Sequence, residues 1–174
     1  MSKLIIICGL AGTGKSTLAR ELSKRLNICC LHKDTIKAGL YEKLNFHTED
    51  SYKLYFHLAE DQVKNNVDLI MESPFIFEGD RKILKKWQKK YKIDLTCIIC
   101  SADVETRKKR ILTRERHDCH READKKLLKN LTPKDVDYSK LPGRKIEIIT
   151  DKPVEKLVEN IIKKLNDNEY GTKY

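Results

Sequence analysis

Gly9-Leu10-Ala11-Gly12-Thr13-Gly14-Lys15-Ser16 satisfies GxxxxGK[ST] in full, between a strand-like and a helix-like segment. The chemistry of that pattern is phosphate binding. Glycines let the backbone wrap closely around an anion, its N–H groups point inward, and a helix N-terminus stands behind them. Lys15 is then expected on the β- and γ-phosphates of a nucleoside triphosphate, ATP first among them. The Ser16 hydroxyl is expected on Mg²⁺, and Thr17 against the α-phosphate. Gly9, Ala11, Gly12, Thr13 and Gly14 complete the nucleotide-binding set. A glycine-rich turn without a ligand is the bland alternative, and the full match in this context argues against it.

Phosphoryl transfer needs more than a phosphate cradle. Asp34 stands just after a second strand-like run, at the rim where such a loop opens, and could accept a proton from an attacking hydroxyl. Its alternative role is an N-cap for a helix starting near Thr35. Glu72 ends a third strand, a place suited to an acidic residue linked to Mg²⁺, directly or through a bound water. Glu72 could equally face the substrate or simply the surface. Arg81 joins Asp34 and Glu72 as an expected acceptor-side residue. Between Glu105 and Arg121 lie Arg107, Arg110, Arg114, Arg116 and Arg121. Arg110 and Arg114 are one helical turn apart, so they share a face. Guanidinium groups stack on planar bases and fork onto phosphates. Arg114 and Arg116 are therefore placed with Lys15 and Asp34 as catalytic candidates, whereas a solvated face is an even alternative for Arg107 and Arg121.

These residues need elements to hold them. Lys3 to Cys8, Ile28 to Leu31, Asp68 to Glu72, Leu95 to Cys100 and Ile146 to Ile149 read as five strands. Helical spacing appears in Lys15 to Leu26, in Ser51 to Val63, in Arg81 to Tyr91 around Trp87, and from about Val104 onward. In the last helix Val154, Leu157, Val158, Ile161, Ile162 and Leu165 line one side, with Pro153 at the first turn. Alternating strands and helices predict a parallel sheet covered on both faces, with ligands beyond the carboxyl ends of its strands. The segment from Lys125 to Lys145 is the least regular.

The chain has 174 residues, room for one compact domain, and a formal net charge of +10. That charge favours anionic partners, nucleotides first and nucleic acid as a further candidate, although a solvated lysine-rich surface explains it as well. No run is long enough to cross a bilayer and no opening segment reads as a signal peptide, so a cytoplasmic protein without a membrane partner is expected. Its six cysteines fall mostly in apolar runs, as reduced core thiols do. Cys97 and Cys100 form a CxxC, but three residues apart on a strand they face opposite sides. His117, Cys119 and His120 approach ligand spacing without an obvious fourth ligand.

The phosphate loop, "HKDTIKAGL", "MESPF", "ETRKKRILTRER" and the closing "VEKLVENIIKKL" together resemble the small P-loop kinases. The likeness is nearest to the predicted AAA-type P-loop kinases that share features with shikimate kinase, zeta-toxin kinases and the kinase domain of polynucleotide kinases. The resemblance covers most of the chain. It implies an α/β three-layer P-loop NTPase fold with sheet order 2-3-1-4-5 in one domain, a lid over roughly 105–130, and ATP and Mg²⁺ as co-substrates. It also implies Arg110 stacked on adenine, Arg114 and Arg116 closing over phosphates, and Thr150 and Asp151 bordering the base. No motif specifies the acceptor. A kinase acting on a hydroxyl of a small or nucleoside-like molecule leads; a nucleic-acid 5′-hydroxyl kinase and a nucleotide-dependent switch are the alternatives, for a monomer or a dimer.

Overall fold

Five short runs rich in β-branched residues pair side by side into one parallel sheet, in the order β2-β3-β1-β4-β5. The computed structural model describes residues 1–46, 51–115, 117–129, 131 and 136–167. The strands are β1 (Lys3–Cys8), β2 (Cys30–His32), β3 (Leu69–Glu72), β4 (Asp94–Ser101) and β5 (Arg144–Ile149). The helices are α1 (Lys15–Leu26), α2 (Lys33–Leu44), α3 (Ser51–Lys64), α4 (Glu78–Tyr91), α5 (Val104–Thr113), α6 (Arg121–Lys129) and α7 (Val154–Asn166), with a 3₁₀ turn at Asp118–His120. This is the fold and strand order that the resemblance implies.

β1, flanked by β3 and β4 on either side, is apolar on both faces, which gives the sheet two cores. On one side Leu4, Ile6 and Cys8 meet Tyr55, Phe56 and Ala59 of α3 and Leu84 and Trp87 of α4. On the other, Ile5 and Ile7 meet Leu18 and Leu22 of α1 and Val158 and Ile161 of α7. Cys97 belongs to the first core and Cys100 to the second, so the CxxC pair does point to opposite faces. Burial pushes both thiols up to about 12, and they remain neutral packing groups. Cys8, Cys97 and Cys100 are buried thiols, whereas Cys29 is exposed and Cys30 and Cys119 are half-buried.

Several boundaries differ from the sequence reading, among them a start of α4 at Glu78 and of β5 at Arg144. The second strand begins at Cys30 rather than Ile28 and extends through His32. α2 starts at Lys33, directly after it, so Asp34 sits inside the first turn and is not the N-cap. α6 gives order to the stretch up to Lys129 that was expected to be irregular from Lys125. Its polar sequence hides a helix whose residues are none of them buried.

Trp87 is 2% exposed and touches the ring of Phe56 edge-on. Trp87→Ala is expected to cost about 3–5 kcal/mol of stability. Urea denaturation should show that loss as a lower midpoint; an unchanged midpoint would contradict this packing.

Candidate active site

The phosphate loop leaves β1 at Cys8 and enters α1 at Lys15, and its shape is set partly from behind. Gly9 has φ 144, and a Cβ there would collide with the carbonyl oxygen of Cys100 in β4. Gly12 has φ 80, and a Cβ there would lie 2.7 Å from the Arg107 carbonyl oxygen. Both positions demand glycine because neighbouring backbone occupies the space a side chain would need. Arg107, only 5% exposed, donates from Nε to the Ala11 carbonyl at 3.0 Å. The even chance given to Arg107 as a solvated residue is thus corrected. Together with Val104 and Ile111 it lies on the inward stripe of α5, a periodicity already present in the sequence.

Inside the loop's mouth one carboxylate gathers three partners. Glu72, at the carboxyl end of β3, is 3% exposed. The Ser16 hydroxyl donates to its Oε1 at 3.1 Å, and the Lys15 ammonium lies 3.5 Å from the same oxygen. His32 Nδ1 lies 3.1 Å from Oε2, because β2 and β3 pair His32 opposite Glu72. Burial opposes ionisation most strongly, yet the His32 hydrogen bond and the Lys15 charge together hold this carboxyl below the usual carboxylate range. His32 escapes a sequence reading that ends the strand at Leu31. Its one signal was adjacency to Asp34.

A cleft of about 770 Å³ opens at these residues. Gly12, Gly14, Lys15, Ser16, Thr17, His32, Asp34 and Glu72 line it, as do Arg110, Arg114, Thr150 and Lys152. Asp34 lies at its edge with its carboxylate 3.3 Å from the Lys33 ammonium. Arg110 donates to the Thr150 hydroxyl at 3.0 Å and to the Thr150 carbonyl at 2.6 Å. The Thr150 hydroxyl lies 2.8 Å from the Thr13 carbonyl, which ties the end of β5 to the phosphate loop. Arg114 is held by Asp124 of α6 at 2.6 Å. The segment before α6 rests on α2, with His120 Nε2 3.3 Å from the Asp34 carbonyl and His117 Nε2 3.3 Å from Glu42.

Not every expected residue arrives. Arg81 does not line this cleft; its guanidinium donates to the Asp137 carbonyl at 3.1 Å instead. Asp151 is exposed and outside the lining, while Gly9, Ala11 and Thr13 support the loop without facing the cleft. The Thr13 hydroxyl turns back to the Leu10 carbonyl at 2.8 Å. Arg116 lies outside the described residues.

Beside Asp34 a polar group fixes the loop after β3. Tyr52 reaches Ser73 Oγ at 2.8 Å and donates to Asp80 at 3.4 Å, and the Lys33 ammonium sits 5.5 Å from the Tyr52 ring centre. Asp80 also accepts from the Phe77 N–H at 3.3 Å, half of a capping box for α4. Tyr52, expected as a plain core aromatic, thus has a polar duty. Burial raises the Asp80 pKa, with the Phe77 and Tyr52 hydrogen bonds opposing. An acid raised in the folded state favours folding less once it ionises, so stability should fall as pH climbs from the ordinary aspartate pKa to the raised one. Asp80→Asn should flatten that fall. Chemical denaturation at a series of pH values measures it, and equal slopes in both proteins would refute it.

Comparison with known proteins places the fold. Residues 4–133 match the AAA_33 model, described as an AAA domain. A crystal structure from Chloroflexus aurantiacus, assigned only provisionally as a kinase, superimposes with a TM-score of 0.78 at 24% identity, covering 93% of this chain and 97% of that one. The Mycobacterium tuberculosis APS kinase in complex with AMPPNP and APS gives 0.63 at 16% identity, over 95% of this chain and 98% of that one. Shikimate kinase from Bacteroides thetaiotaomicron gives 0.62 at 12%, over 94% and 98%. No curated protein matches by sequence. Among the described residues no helix is long and apolar enough to cross a membrane.

Proposed function

The chain belongs to the AAA_33 family of AAA domains, and we propose that it acts as an ATP-dependent phosphotransferase, moving a γ-phosphate to a hydroxyl of a small or nucleoside-like acceptor. One observation carries this reading: Asp34 shares a single cleft with Lys15 and Ser16 of the phosphate loop. A nucleotide switch needs the loop but has no use for a carboxylate held beside it.

In this reading the loop N–H groups and Lys15 hold the triphosphate, while Arg110 and the Thr150 end of β5 border the base. Asp34 takes the proton of the acceptor hydroxyl as its oxygen bonds to the γ-phosphorus and ADP leaves. Arg114, oriented by Asp124 at 2.6 Å, faces the charge that develops on the transferring group, and Arg116 is proposed alongside it. The donor set fits Mg²⁺. Ser16 and Glu72 offer hard oxygen atoms 3.1 Å apart at the loop's mouth, Ser16 as the ligand and Glu72 behind it, engaged by Lys15 and His32. Bound there, the ion supplies charge neutralisation for the β- and γ-phosphates.

The test is ATP consumption across hydroxy acids, sugars, nucleosides and 5′-hydroxyl oligonucleotides. One acceptor class should drive turnover well above background, and the oligonucleotide arm decides the nucleic-acid alternative. Lys15→Ala should lower that turnover about a thousandfold. Asp34→Asn should lower kcat about a hundredfold or more while leaving ATP affinity nearly intact. Unimpaired turnover in Lys15→Ala would end the assignment; unimpaired turnover in Asp34→Asn would remove Asp34 as the base.

A further inference from the structure

Behind the phosphate loop, on the far side from the nucleotide cleft, a second cleft of about 610 Å³ opens between β4, β5 and the start of α5. Leu10 and Thr13 of the loop line it, and so does Arg107. This arginine is 5% exposed, and its Nε is committed to the Ala11 carbonyl. Among the described residues its two Nη groups meet no acceptor and no carboxylate forms an ion pair with it. Burial lowers its pKa, with only the Tyr138 phenol acting in the other direction. A guanidinium carries five N–H donors in a fixed fork and keeps its charge in proteins. The unmatched part of that fork opens onto the cleft, and a guanidinium whose residue is otherwise buried is a natural partner for a counter-ion there.

The other charged groups around the cleft are consistent with a visitor. Lys145 of β5 lines it and adds a second positive charge. Asp103 is already spent on capping α5 through the Thr106 N–H at 2.8 Å, and Asp137 on the Ser139 N–H at 2.9 Å. Glu147, two residues from Lys145 on the same strand face, is the one acidic lining residue with no such task. The cleft wall also carries the Tyr138 ring, whose hydroxyl donates to the Pro74 carbonyl at 3.1 Å.

We propose that this rear cleft binds a small oxyanion, a carboxylate or a phosphate, through the free fork of Arg107 with Lys145 in support. Two acceptor oxygens in one plane match the Nη pair, and binding satisfies donors that no described residue fills. The site is separate from phosphoryl transfer and does not rest on that reading.

The test follows the arginine Nε–H signals by NMR at constant ionic strength in a chloride salt. A nonhydrolysable ATP analogue saturates the phosphate loop, so that added anions cannot compete there. Acetate and inorganic phosphate, titrated separately, distinguish the two ligand chemistries. The Arg107 signal should shift saturably with at least one. Lys145→Ala should weaken that binding about two- to fivefold, and Glu147→Gln should tighten it by a similar factor. Arg107→Lys should weaken it about tenfold or more, as read from neighbouring amides. Lys145 and Glu147 lie on an exposed strand face, so their variants keep the test decisive even if the Arg107 variant fails to fold. Absence of a saturable shift with either anion would overturn the proposal. So would equal affinity in the parent, Lys145→Ala and Glu147→Gln.

Discussion

A carboxylate buried at the end of a strand cannot stand alone, and Glu72 organises the site because of that constraint. Taken from water, it must be surrounded by donors or give up its charge. β1 and β2 flank β3, so the loop after β1 and the last residue of β2 are the nearest sources of donors. Ser16 and Lys15 come from one side and His32 from the other. The sheet order therefore decides which residues can meet, and Glu72 decides how they are oriented.

The same economy governs the loop's far side. Its glycines are usually explained by the ligand in front, but Gly9 and Gly12 are equally constrained by protein behind them. The Cys100 carbonyl and the Arg107 backbone stand where side chains would go. Arg107 then takes the Ala11 carbonyl and Thr150 the Thr13 carbonyl. Those hydrogen bonds hold the loop from the protein's own side. α5 thus has two duties. Arg107 and Ile111 face inward, Arg107 bracing the loop, while Arg110 and Arg114, the latter just past its end, reach the cleft.

Local signals were the legible part of the sequence. The phosphate loop is contiguous, the strands are β-branched runs, and α7 repeats its apolar residues at helical spacing, so pattern alone located them. Asp34 and Glu72 were found because they end or follow strands, where such sheets place their sites. What pattern missed depends on pairing across the chain. His32 joins the site only because β2 lies beside β3 with His32 opposite Glu72. Arg81 was expected with Asp34 and Glu72 on the acceptor side, yet its position on α4 directs it to the Asp137 carbonyl, and it does not line the cleft. α6 was hidden because it is short and strongly charged, and none of its residues is buried.

This contrast also explains why the two substrates are so unequally legible. A triphosphate is recognised largely by backbone N–H groups and one lysine, so its site can be encoded in one short motif. An acceptor must be recognised by side chains, and those nearest Asp34 come from separate elements. Lys33 belongs to α2, Tyr52 to α3, Ser73 to the loop after β3 and Asp80 to α4. No spacing rule links them; only the tertiary fold does. Their hydrogen bonds are nevertheless specific, and Tyr52 connects Ser73 to Asp80 while lying under the Lys33 ammonium. The group beside Asp34 is therefore polar and hydrogen-bonded within itself. A site of that kind discriminates by leaving its polar groups unpaired when the wrong molecule enters. In the proposed reaction the phosphate loop holds the donor, and this polar group beside Asp34 is a candidate for sensing the acceptor.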